Sequence, residues 1–222
     1  MTINKTFTLL LTLLTFQNIT LGQDRFRFGL SGGLTCSYAK TTQKNSYGKI
    51  SPGFGLNLYF PLSIKLNDKL SLETGLGYYF NKFNLKYSGI RSSVGQAHPY
   101  TPLKICYTKS LTDNKALFTN IGFVLDYFPV KNTFTSTDSI NQIIIIDNSI
   151  GKSNQYLSFE FGFKKTTIKN KIHQISLQYF YGLQVIANGT AYHLNNSSNP
   201  FKYTYSGDFA TMQYTFWLGK KN

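Results

Sequence analysis

Two carboxylates, one ammonium and one amide (Glu73, Glu160, Lys104 and Asn120) are the side chains of this sequence best suited to do chemistry together. Gathered in a confined space of low polarity, they have two uses. With room between them they make a gate or polar conduit. Fully paired they make a plug, because a buried charge left unmatched costs several kcal/mol.

Nucleophilic and metal chemistry find less support. A deacylase-type barrel carries a His-x-Ser pair, but His98, His173 and His193 are followed by Pro-Tyr, Gln-Ile and Leu-Asn. The pattern described below puts His98 and His193 in outer loops and His173 at an inner turn. Asp138, Asp147 and Asp208 are loop acids without catalytic spacing, so no nucleophile, base and orienter assemble. Three scattered His and two Cys give no metal-ligand spacing. The expectation is a non-enzymatic chain with no catalytic, cofactor or metal residue. Cys36 and Cys106 fall on opposite strand faces, too far apart for a disulfide.

The elements that must position the four polar residues are strands. Apolar and polar residues alternate with period two over 25–38, 53–64, 69–83, 100–109, 116–128, 156–164, 172–186 and 208–219. Glu73 opposes Leu72 and Leu76, Lys104 opposes Leu103 and Ile105, Asn120 opposes Leu117 and Ile121, and Glu160 opposes Phe159 and Phe161. Short polar turns near 65–69, 110–115 and 165–171 alternate with long connections near 39–52, 84–99, 129–155 and 187–207, rich in Ser, Thr, Asn and Lys. An even strand count with short turns on one rim and long loops on the other is the signature of a bacterial transmembrane barrel. The expected fold is all-β, an eight-stranded antiparallel up-and-down transmembrane β-barrel over residues 23–222. Closure satisfies every backbone hydrogen bond internally, as lipid requires.

A soluble barrel would place its bulky apolar row inside and its polar row in water. Here the polar row is mostly Gly, Ser, Thr, Asn and Gln, too small and too weakly charged for a hydrated exterior but suited to a narrow lumen. The apolar row carries no charge, and a charge at the bilayer midplane would cost about 2–4 kcal/mol. An eight-stranded lumen is just wide enough for side chains to fill, which favours the plug.

Other features bear on location and partners. Lys5, the apolar run Phe7 to Phe16, and Thr20 and Gly22 before Gln23 read as a cleaved secretory signal over 1–22. Both termini of the barrel are then periplasmic. The 23 basic against 9 acidic residues are scattered over turns without a nucleic-acid-binding motif. Basic rims suit outer-membrane lipid headgroups and lipopolysaccharide phosphates. The run Ile143 to Ile146 would be sticky if free, so it is expected in a hairpin that extends the fifth and sixth strands above the membrane, or else against a partner protein or lipid. Asp138-Ser139-Ile140 resembles a three-residue O-glycosylation site.

The segments FRFGLSGGLTCSY (26–38), FPLSIKLNDKLSLETGLGYYFNKF (60–83) and YTPLKICY (100–107) resemble the PorT-like outer membrane protein beta-barrel domain family of Bacteroidetes-type bacteria. Cys106 departs from that family's fourth-strand run. The resemblance covers 26–128 by motif and the rest by pattern, and implies fold and outer-membrane location. The functional expectation is an integral outer-membrane scaffold or interaction protein of the cell envelope, meeting another envelope protein through outer loops or inner turns. The alternative is a narrow pore or lateral conduit for small solutes.

Overall fold

The computed structural model of the chain describes residues 25–37, 39–41, 48–87, 90–127, 133–138, 143–149, 153–167, 171–185, 187–193 and 196–218. The signal segment 1–22 and Ser139 lie outside the described residues. Thirteen strands are described: β1 (Phe26–Ser37), β2 (Lys40–Thr41), β3 (Gly48–Lys65), β4 (Leu70–Tyr87), β5 (Ile90–Thr112), β6 (Lys115–Asp126), β7 (Thr133–Asp138), β8 (Ile143–Ser149), β9 (Asn154–Thr166), β10 (Ile172–Gly182), β11 (Ala187–His193), β12 (Asn196–Tyr205) and β13 (Phe209–Leu218). Eight of them close a barrel in the order β1-β3-β4-β5-β6-β9-β10-β13. Every neighbour pair is antiparallel, and β1 meets β13 from Phe28 opposite Leu218 to Ser37 opposite Phe209. The barrel is the expected eight-stranded up-and-down one.

The short turns set its register. At the β3–β4 turn, the Asn67 side chain accepts the backbone N–H groups of Lys69 and Leu70 at 2.9 and 2.8 Å. The Lys65 ammonium donates to Asp68 at 2.7 Å, and holds that carboxyl below the usual carboxylate range.

Around the waist the outward row is Phe28, Leu30, Leu34, Phe54, Leu56, Leu58, Leu76, Tyr78, Leu103, Ile105 and their equivalents, all exposed. The inward row is buried. A continuous apolar girdle of this kind is not sustained in water and matches hydrocarbon. Leu70 to Phe80 rises about 33 Å along the strand at ~3.3 Å per residue, hence about 25 Å along the axis at a tilt of ~40°. Leu58→Arg, near mid-belt with its side chain 55% exposed, is expected to lower stability by about 2–4 kcal/mol. Urea unfolding in lipid vesicles checks this; an unchanged midpoint would mean that the row faces water.

Beyond Phe80 the alternation changes sign. Lys82, Asn84 and Lys86 now point outward, while Phe83, Leu85 and Tyr87 are buried. Outside is water here, and inside is an apolar core. A register shift between Pro52 and Leu56 in β3 does the same on its neighbour, and sends Ile50 inward.

The long connections correct the sequence reading. The span 84–99 is not a loop: β4 and β5 run on as a paired ladder to Tyr87 opposite Ile90. The span 39–52 contributes β2 and the start of β3, 129–155 contributes β7 and β8, and 187–207 contributes β11 and β12. The ladder past Phe80 read as a loop because its outward residues, Lys82, Asn84 and Lys86, are polar, so no apolar outer row marks it. Five of the strands form a second sheet, β2-β12-β11-β8-β7. Phe201, Tyr203 and Tyr205 of β12 pack across the barrel's end onto the extended β3–β4 hairpin. Phe83 meets the Tyr203 and Tyr205 rings at 5.4 Å each, and Tyr87 meets Phe201 at 6.4 Å. Burial lifts the Tyr205 phenol above its ordinary value, so it stays neutral. Gly189 makes room for this core, since a Cβ there would stand 1.8 Å from the Tyr203 ring. The run Ile143 to Ile146 lies in a hairpin, but not one that prolongs the fifth and sixth barrel strands: β8 pairs with β7 on one side and with β11 on the other, in the second sheet.

Candidate functional site

The barrel's inward rows bring Glu73, Lys104, Asn120 and Glu160 together at mid-depth, all at most 3% exposed. Two of the contacts follow from register alone. Glu73 faces Lys104 across β4–β5, and Asn120 faces Glu160 across β6–β9. The link between these pairs depends on Gly122, which faces Lys104 on β6. A Cβ at Gly122 would come within 2.7 Å of Lys104 Cγ. The missing side chain lets the lysine stem cross its neighbouring strand and reach β9.

Lys104 Nζ donates to Glu73 Oε1 at 3.2 Å and to Glu160 Oε2 at 3.1 Å. Its charge also sits 5.0 Å from the Tyr59 ring centre. Glu160 takes four further donors: Asn120 Nδ2 at 2.9 Å, Ser176 Oγ at 2.7 Å, Gln213 Nε2 at 2.8 Å and Gln174 Nε2 at 3.2 Å. With Lys104 that makes five donors on one carboxylate, three on Oε1 and two on Oε2, so its roughly four lone-pair sites are fully taken and shared. Glu73 also receives the Tyr59 hydroxyl at 3.3 Å. The ionic layer is therefore cross-linked from β3, β4, β5, β6, β9, β10 and β13. Sequence reasoning named its charged members and Asn120, but not Gln174, Ser176, Gln213 and Tyr59. It did not assign these as partners, because register between distant strands is not visible in a single row.

Above this layer the lumen is aromatic, which the sequence reading missed. Tyr59, Tyr79, Tyr100, Val124, Tyr156, Phe180 and Phe209 form one buried cluster. Phe180 and Phe209 stack with centroids 4.2 Å apart. Tyr100 donates to Asn57 Oδ1 at 2.9 Å, and Asn57 donates onward to Gln213 at 3.3 Å, which ties the rings to the polar layer. Gly77 admits the Tyr100 ring, since a Cβ there would lie 2.1 Å from it. The expectation of few bulky inward residues fails because rings occupy both faces of the same strands, as in Tyr179-Phe180-Tyr181, so an apolar outer row hides its aromatic inner partner.

His98 is a second correction. It is not in a loop: β5 carries it into the barrel, 3% exposed and stacked on Tyr79. Its Nδ1 lies 3.3 Å from Asp126 Oδ1. Asp126 Oδ2 accepts the hydroxyls of Tyr79 and Tyr156, the latter at 3.1 Å. His173 is at the turn end, with Nδ1 and the Tyr214 hydroxyl 2.5 Å apart and its ring against Phe216. Both cysteines are free thiols; Cys106 is buried in the lumen below the ionic layer, and Cys36 is partly exposed on β1. Among the described residues no group of three or more His, Cys, Asp or Glu is arranged to hold a metal ion.

No family model and no curated protein matches the chain. Among solved structures it is similar to the outer membrane protein OprG from Pseudomonas aeruginosa, at 13% identity and a TM-score of 0.54 over 90% of this chain and 99% of that one. A major outer membrane protein from Thermus thermophilus matches at 10% identity and a TM-score of 0.46, over 86% and 99%. The attachment invasion locus protein Ail of Yersinia pestis matches at 10% and 0.39, over 87% and 99%. What the chain shares with OprG is the fold, that of an outer-membrane β-barrel.

Proposed function

We propose that this chain is an integral outer-membrane protein with a closed lumen, which serves the envelope as a scaffold and not as a passage. The observation that carries this reading is the ionic layer. Lys104, Glu73, Asn120 and Glu160 bridge the lumen at mid-depth with hydrogen bonds to strands on every side. Above it the stacked rings and the cap core fill the remaining bore. What the protein offers its surroundings is then its two ends: a β-structured cap, and a basic rim at the short turns. The cap or the turns contact another envelope component, and the rims contact lipid and lipopolysaccharide phosphates.

Both ends of the barrel strands, near Phe26 and Leu218, lie at the short-turn side. With the secretory signal this supports periplasmic termini and a cap on the cell exterior. The motifs quoted from 26–128 support kinship with PorT-like barrels. A non-enzymatic role is supported by the meeting of a histidine and a carboxylate that the described residues contain, His98 with Asp126. There the groups completing the cluster, Tyr79 and Tyr156, donate their hydroxyl protons to Asp126.

Planar-bilayer recordings test the closed lumen. The refolded mature chain is expected to give no steady conductance. Reproducible ohmic steps, blocked or reselected by Lys104→Met, would replace the scaffold with the narrow-pore alternative.

A further inference from the structure

The cavity at the short-turn mouth has a composition that the closed lumen does not explain. It measures about 210 Å³ and opens at the turn end. Six cationic residues line it, Arg25, Arg27, Lys65, Lys69, Lys115 and Lys164, against the two acids Asp68 and Asp113. Asp68 is already held by Lys65 at 2.7 Å. Serine and threonine hydroxyls fill in between, so the wall is rich in donors. The inner end is shut, because Trp217 donates from Nε1 to Gln174 at 3.0 Å and the ionic layer stands behind.

Lys164 gives this wall a direction. It faces inward on β9, half-buried, and forms no ion pair among the described residues. Its ammonium lies 4.5 Å from the Phe118 ring centre and donates to Cys106 Sγ at 3.4 Å. A ring and a thiol are weak partners for a charge withdrawn from water, where a carboxylate is the usual one. The Lys164 charge is felt by Glu73 in the ionic layer behind it, but no described carboxylate is within ion-pair distance, so the ammonium borders the cavity from its deep side, while Arg27 and Lys65 border it from the mouth.

We propose that this blind mouth is a binding site for a phosphoryl group, inserted from the short-turn side and held by Lys164, Arg27 and the surrounding hydroxyls. The volume falls below the roughly 300–1,000 Å³ of pockets that enclose a whole organic ligand, so it takes the anionic end of a molecule and leaves the remainder outside. The phosphoryl group comes either as a free polyphosphate or on a phospholipid headgroup. The site does not depend on the scaffold role: bilayer conductance tests that role, whereas ligand titration tests this one.

The chain has a single tryptophan, Trp217, and it lines the cavity. The mature protein in an uncharged maltoside detergent is titrated with inorganic pyrophosphate and, separately, with short-chain phosphatidylglycerol, at constant ionic strength. A saturable shift of Trp217 emission is expected, weakened about tenfold in Lys164→Met, the scale of one lost hydrogen bond to a charged group. Lys164→Arg is expected to retain it, which guards against a variant that merely folds poorly. Lys86→Met, exposed at the opposite end, is expected to bind as the parent does. Saturation by pyrophosphate assigns a soluble ligand, and saturation by phosphatidylglycerol alone assigns a headgroup. No saturable shift with either probe, or equal weakening by Lys86→Met and Lys164→Met, overturns the site.

Discussion

Lys104→Met is expected to destabilise the barrel by about 3–5 kcal/mol, the range for removing one partner from a buried ion pair. The lysine, 1% exposed, is the cation shared by Glu73 and Glu160. Without it two carboxylates remain in the lumen with only neutral donors around them. Glu73→Gln with Glu160→Gln, added to Lys104→Met, is expected to recover much of the loss, because the stranded charges are gone. Urea unfolding in vesicles, followed by the loss of heat-modifiable mobility on gels, measures both. A Lys104→Met midpoint equal to that of the parent would mean that water already solvates these groups, and the closed lumen would have to be given up.

Phe180→Ala is the second large effect. The ring is fully buried and touches Phe209, Tyr100 and Tyr156 with centroids 4.2, 6.0 and 6.1 Å away. Deleting a phenyl from such a setting costs about 3–5 kcal/mol, part transfer and part cavity. Phe180→Leu, which keeps most of the volume, is expected to lose less than half of that. If Phe180→Ala falls within the ~0.5 kcal/mol typical of surface changes, the upper lumen is not packed and its rings do not block the bore.

The sequence made the lower barrel legible for a physical reason. Between Phe28 and Phe80 the lipid imposes one rule on every strand, apolar outward and small or polar inward, and period-two counting recovers it. Glu73, Lys104 and Glu160 stood out because a charge in such a row has nowhere to go except the lumen. Their meeting point also needed Gly122, whose part is visible only once β5 and β6 are in register. Past Phe80 the rule inverts, and Lys82, Asn84 and Lys86 on the outer face made a strand resemble a loop. His98 was misplaced by the same inversion. The cap strands were unreadable because what holds them, such as Tyr203 opposite Thr41, comes from opposite ends of the chain.

That last feature also sets an order of events. Within the barrel, each wall strand pairs with the next wall strand along the chain, and the β1–β13 seam joins the first to the last. The cap has its local hairpins, β7–β8 and β11–β12, but joining them is not local: β11 must find β8 across two intervening wall strands, and β12 must find β2 from near the other terminus. Closing long stretches of chain costs entropy before any contact repays it, and topologies rich in such pairings fold slowly. The aromatic core under the cap therefore assembles only after the wall has brought its three contributing connections side by side, which makes the cap the late, slow part of the protein to mature and the first to open.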